Sequence, residues 1–109
     1  MRDDEARILD IIDTCDQLIE HVGGDPERFE SDPVVQAAAQ RWLEIIGEAA
    51  ARLSDGFKRD HPEVAWRDLV GMRNILAHGY FDVDLEVMWT AITRDVPSLR
   101  DALGPPREG

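Results

Sequence analysis

The sequence predicts an all-α protein, an up-and-down bundle of four main helices, and three observations predict it. Apolar residues recur at three- and four-residue steps over four long stretches. No stretch alternates apolar and polar as a half-buried strand would. Glycines, prolines and Ser/Asp pairs of the kind that start and stop helices fall between the stretches. With 109 residues, 43% hydrophobic and 32% charged, the chain is long enough for one domain and too short for two. That domain is expected over residues 1–103. Residues 104–109, with nothing to pack, read as a disordered tail.

The first helix carries Ile8, Ile11, Ile12, Cys15, Leu18, Ile19 and Val22 on one face and ends at Gly23-Gly24. The second starts after Ser31 or Asp32 as N-cap with Pro33 in its first turn. Its buried side is expected to hold Val35, Ala38, Trp42, Ile45, Ala49 and Leu53, and it ends near Ser54-Asp55-Gly56. Gly47 inside it costs about 1 kcal/mol relative to alanine, which a close helix crossing would explain. Glu48 precedes Arg52 by four residues, a favourable exposed pair. Pro62 keeps His61 out of a helix, and a third helix runs from about Val64 or Trp66 through Ala77, with Trp66, Leu69, Val70, Met72 and Leu76 available to the core. The last begins around Asp82 or Asp84 and buries Leu85, Met88, Trp89, Ile92, Val96 and Leu99. Pro97 lacks a backbone donor and should kink it near Thr93.

Composition excludes several classes. One cysteine, Cys15, allows no internal disulfide, and its apolar face makes it a small buried thiol. No apolar run approaches the roughly 18 residues of a membrane span, and the acidic N-terminus is unlike a signal peptide, so a cytoplasmic protein without membrane contact is expected. Paired cysteines, a glycine-rich phosphate loop and a helix with two closely spaced histidines are absent, so neither a metal nor a cofactor is expected. The formal net charge is −11. A nucleic-acid binder normally carries a basic footprint, so any RNA contact must be local, led by arginines such as Arg73, Arg67 and Arg41. The same charge suits a basic partner.

One stretch is explained by neither packing nor solvation: Arg73-Asn74-Ile75-Leu76-Ala77-His78-Gly79-Tyr80. It joins a permanent cation, an amide, an imidazole and a phenol where a helical pattern runs into a glycine suited to a left-handed cap. Arginine grips phosphate oxygens with a planar fork, histidine exchanges a proton near neutral pH, and asparagine can hold an oxygen or orient the ring. Asn74 and His78 share a helix face. Arg73 and His78 lie five apart and diverge by roughly 140°. One helix therefore presents them poorly to one phosphate, whereas two copies meeting at a two-fold axis would present them well, which predicts a homodimer. Read singly, Arg73 could snorkel to solvent, His78 could cap a helix end and Tyr80 could plug it. Trp66 is the tryptophan close enough in sequence to line the motif's cleft.

Arg-Asn, three residues, His, one residue, Tyr resembles the signature of the HEPN superfamily, in particular the HepT-like toxins that pair with a minimal nucleotidyltransferase antitoxin. The Ile46-Gly47-Glu48-Ala49 run, the segment from Pro62 to Trp66 and the Val87-Met88-Trp89 helix ending in Val96-Pro97 resemble that family's layout, over roughly residues 5 to 103. The resemblance implies a metal-independent endoribonuclease in which the RNA 2′-hydroxyl attacks its own phosphodiester. His78 would be general base or acid, Arg73 would stabilise the phosphoryl charge, and Asn74 would orient His78 or the phosphate. It further implies that a nucleotidyltransferase partner silences the toxin by AMP transfer to Tyr80, and a supporting role for Glu48, which otherwise reads as a solvated salt bridge. The alternative is a non-catalytic helical module that binds a nucleotide or a nucleotidyltransferase.

Overall fold

The computed structural model describes residues 4–78, without the His78 side chain, and 84–104. Its elements are helices joined by short turns, with no strand among the described residues. Helix α1 spans Asp4–Leu18 and passes into a π turn, Ile19–Gly23, closed by Gly24. Two six-residue helices that the periodicity does not register follow the same capping chemistry as the long ones. Asp25 caps α2 (Pro26–Ser31) by accepting from the Arg28 amide at 3.0 Å. Ser54 caps α4 (Asp55–Asp60) by accepting from the Phe57 amide at 3.1 Å. Six residues are too few to display a 3.6-residue period, so only the cap, joined in α2 by Pro26, announces them.

Helix α3 (Pro33–Ala51) starts as its sequence predicts, with Asp32 accepting from the Val34 and Val35 amides at 2.9 and 3.4 Å. Its buried stripe is Val35, Ala39, Leu43, Ile46, Gly47 and Ala50. The expected stripe through Ala38, Trp42, Ile45 and Ala49 is therefore corrected by one residue, or about 100° of rotation. The reason is that α3 is the central helix, packed on α1 along one side and on α5 (Trp66–His78) along another. The narrow seam between the two contacts goes to compact side chains. Trp42 sits half-buried at its edge, stacked on His21 with ring centroids 6.1 Å apart.

The C-terminal helix is made of α6 (Leu85–Thr90), a π turn (Ala91–Asp95) and α7 (Val96–Leu103). Asp84 caps its start, accepting from the Glu86 amide at 2.9 Å. The disturbance expected from Pro97 takes the form of that π turn. Widening the coil just before the proline relieves the clash of its ring with the carbonyl four residues back, Thr93. The two π turns pack against each other, so the wide turns lie together at one place in the bundle.

The core runs through Ile11, Cys15 and Leu18 of α1, Leu43 and Ile46 of α3, Leu69, Met72 and Leu76 of α5, and Met88, Ile92, Val96 and Leu99 of the last helix. Burial pushes the Cys15 thiol up to about 12, and the neighbouring Asp16 carboxylate adds to the effect. The Arg100 Nε–H donates to Asp16 Oδ1 at 2.9 Å and ties α7 to α1. Among the described residues no helix is long and apolar enough to cross a membrane. The expected tail beyond Gly104 lies outside the described residues.

Candidate functional site

Arg73, Asn74 and His78 all belong to α5, and α5 is held mainly by α3. The two helices run antiparallel, since Gly47 meets Leu69 and Arg73 while Gln40, earlier in α3, meets Leu76. A Cβ placed on Gly47 would stand 2.5 Å from Arg73 Cβ and 2.9 Å from the Leu69 carbonyl oxygen. Neither atom can yield without moving the helix. Glycine is thus required at the crossing, and the backbone of Arg73 lies directly against α3. The guanidinium, half-buried at its root, turns along the helix and donates from Nη1 to Asn74 Oδ1 at 2.9 Å. Arg73 and Asn74 thus form one unit, with the Asn74 carbonyl oxygen occupied by the cation and its amide N–H groups pointing the other way along the same side chain.

α5 has two sharply different sides. Leu69, Met72 and Leu76 are buried. On the opposite side Asn74 is exposed, Ile75 is 56% exposed, and a Cβ on Gly71 would meet nothing within 4 Å among the described residues. By helical spacing His78 belongs to this second side, four residues beyond Asn74 and seven beyond Gly71. The His78 side chain and all of Tyr80 lie outside the described residues, as does the expected cap at Gly79.

The remaining candidates are placed differently. Glu48 pairs with Arg52 across one helical turn at 3.6 Å on the surface. Trp66 occupies the first turn of α5, about 10 Å along the axis from Arg73. Its indole N–H donates to the His61 carbonyl at 2.9 Å, and its ring meets Phe57 edge-on at 6.1 Å. The His61 Nδ1 lies 3.2 Å from Glu63 Oε2, which with a backbone N–H holds that carboxyl below the usual carboxylate range.

The exposed side of α5 borders a groove of about 540 Å³ against the last helix. Arg67, Gly71 and Ile75, at successive four-residue steps, form one wall, and Val87, Arg94 and Asp95 stand on the other. Asp95, 9% exposed within the π turn, accepts from Arg94 Nε at 3.0 Å, and that pairing raises the Arg94 guanidinium further above its ordinary value. Sequence reasoning passed over Gln40, Arg94 and Asp95. A lone glutamine on a helix has no distinguishing pattern, and the π turn that buries Asp95 is readable only afterwards, from Pro97. Among the described residues no three His, Cys, Asp or Glu side chains gather closely enough to hold a metal ion.

A helical bundle presenting an Arg-Asn pair and a histidine at the end of one helix defines a HEPN-type protein. The HepT-like ribonuclease family matches residues 11–104, and the chain belongs to it. It is similar to a candidate RNase of Methanocaldococcus jannaschii, 36% identical over 100 residues, covering 91% of this chain and 92% of the relative. A candidate ribonuclease HepT of Thermococcus cleftensis is 47% identical over 74 residues, covering 68% of this chain and 67% of the relative. A candidate RNase of Caldanaerobacter subterraneus subsp. tengcongensis is 42% identical over 90 residues, 82% of this chain and 80% of the relative. No solved structure matches the chain.

Proposed function

We propose that the chain is a metal-independent endoribonuclease of toxin type, acting in the cytoplasm as a homodimer. The observation that carries this reading is the Arg73–Asn74 unit braced on α3, with Asn74 and Ile75 exposed on the side of α5 away from the core. A cation and an imidazole are the two groups that phosphodiester transfer without metal needs. His78 takes the proton of an RNA 2′-hydroxyl, the 2′-oxygen bonds to phosphorus, and the bond to the 5′-oxygen breaks. The 5′-oxygen leaves with a proton delivered by an imidazolium, giving a 2′,3′-cyclic phosphate and a 5′-hydroxyl end. Proton transfer of this kind contributes about 10²- to 10⁴-fold. Arg73 stabilises the phosphoryl charge as it builds, and the Asn74 amide positions the phosphate or the ring.

Because Arg73 leans toward α3 and His78 belongs to the opposite side, one α5 does not bring the two to one phosphate. A second copy placed on the Gly71–Ile75 side completes the cleft, and such an interface should bury at least about 1,000 Å². Tyr80, two residues past His78, is the position for silencing by AMP transfer from a nucleotidyltransferase antitoxin. The added phosphate would compete for Arg73. Glu48 and Trp66 support the helix frame around the motif.

A second reading, a non-catalytic module for a nucleotide or a nucleotidyltransferase, draws on the charge. Net charge is −11, and the groove beside the motif holds four carboxylates against two guanidiniums. Incubating the purified chain with RNA in EDTA separates the two. New cyclic-phosphate ends support the nuclease, and intact RNA with tight nucleotidyltransferase binding supports the module.

A further inference from the structure

Two glutamines one turn apart on α3 perform the same task on different helices. Gln36 Nε2 donates to the carbonyls of Phe29 and Glu30 at 3.0 and 3.1 Å, in the last turn of α2. Gln40 Nε2 donates to the carbonyl of Leu76 at 3.3 Å, across 36 residues of sequence, in the last turn of α5. The last four carbonyls of a helix have no acceptor role within it and must find donors elsewhere. For α2 those donors include Gln36, and α3 reaches α5 with the same kind of bond from Gln40. The turn that Gln40 reaches is the one that carries His78, and seven residues further along α3, Gly47 abuts Arg73. The central helix thus contacts α5 beside each of the two residues on which the chemistry rests.

We propose that Gln40 is a positioning residue of the ribonuclease site: its amide holds the Leu76 turn of α5, whose backbone continues into His78, in register with α3, the helix on which Gly47 also seats Arg73. The inference rests on the ribonuclease reading above. A helix turn held by fewer hydrogen bonds opens more readily, and a displacement of about 1 Å at a reacting group costs on the order of 10²-fold in rate. A single part-buried hydrogen bond that suppresses a smaller displacement is therefore worth about tenfold.

The test compares Gln40→Leu with Gln36→Leu in the full chain. The second removes two comparable bonds from the same helix face and serves as the structural control. Initial rates on an oligoribonucleotide in EDTA are measured together with hydrogen exchange of the α5 amides. Gln40→Leu should lower kcat about tenfold with KM within about twofold, and should speed exchange in residues 75–78 selectively. Gln40→Glu, of equal length but without an N–H donor, should behave like leucine. Gln36→Leu should melt at least as early, yet keep kcat within about twofold and leave exchange in α5 unchanged. Unchanged exchange at residues 75–78 in Gln40→Leu, or an equal loss of kcat in Gln36→Leu, overturns the proposal. A wild-type chain that cuts no RNA removes the ribonuclease reading, while the exchange measurement still decides whether Gln40 holds the turn.

Discussion

The two sides of α5 differ sharply in how the rest of the described chain covers them. Toward α3 and the core, Leu69, Met72 and Leu76 are 2%, 6% and 2% exposed, and Gly47 admits the backbone to contact distance. On the other side Ile75 is 56% exposed and Gly71 has open space where a side chain would be. The packed side obeys the economics of a monomer. The open side does not, because a mid-helix glycine costs about 1 kcal/mol and gains no contact here among the described residues. Intramolecular packing therefore accounts for where Arg73 stands, and the open side is where the proposed second copy would sit.

The largest effect should come from the motif itself. His78→Ala and Arg73→Ala should each lower RNA cleavage by about 10²- to 10⁴-fold, measured as initial rate in EDTA, with melting temperature nearly unchanged. A variant that unfolds would move its residue to the packed side of the comparison.

The comparison is sharpest in adjacent residues. Leu76→Ala should cost about 2–5 kcal/mol in urea unfolding, whereas Ile75→Ala should change monomer stability by no more than about 0.5 kcal/mol. Ile75→Asp should instead convert dimer to monomer in light scattering and lose activity with it. If Ile75→Asp leaves the mass at that of a dimer, the interface lies elsewhere.

How tightly the packed side excludes water can be read from the single thiol. Cys15 titrates in the folded state at about 12 against an ordinary 9.0. A folded value raised above the unfolded one means that this contribution is fully present below pH 9 and is lost as pH rises toward 12. The urea midpoint of wild type should therefore fall over that window more steeply than that of Cys15→Ala. Parallel curves would show that water reaches the thiol.

Smallest in stability, though not in consequence, is Tyr80→Phe. It should cost about 1 kcal/mol or less if the hydroxyl faces solvent, and leave RNA cleavage intact. It should also abolish an AMP-sized mass gain on incubation with a nucleotidyltransferase and ATP. A mass gain that persists on Tyr80→Phe places the modification on another residue.

Much of the frame was legible in the residues. Asp32-Pro33 announced the start of α3, Gly23-Gly24 the end of the first helix, and Gly47 a close crossing, because cap, break and glycine cost act within a few residues of where they are written. The eight-residue motif was legible for the same local reason: four chemistries at helical spacing have no packing explanation. What went astray was rotational. The stripe of α3 was assigned one residue early, through Trp42 and Ile45, when the two-sided contact with α1 and α5 buries Leu43 and Ile46. A helix buried on two sides carries apolar residues over most of its circumference, and periodicity then loses its power to choose a centre.

By itself, the sequence determined that the chain is helical, where its long helices begin, and which residues carry reactive groups, since hydrogen-bonding along a helix and side-chain chemistry are local properties. Only the tertiary structure decided that Arg73 and Leu69 of α5 meet Gly47, that the carbonyl of Leu76 accepts from Gln40, and that the π turn before Pro97 buries Asp95 beside Arg94. Each of these depends on the rotation and depth of one helix against another. Those are set by the summed packing of the whole core, in which no single residue's pattern records the outcome.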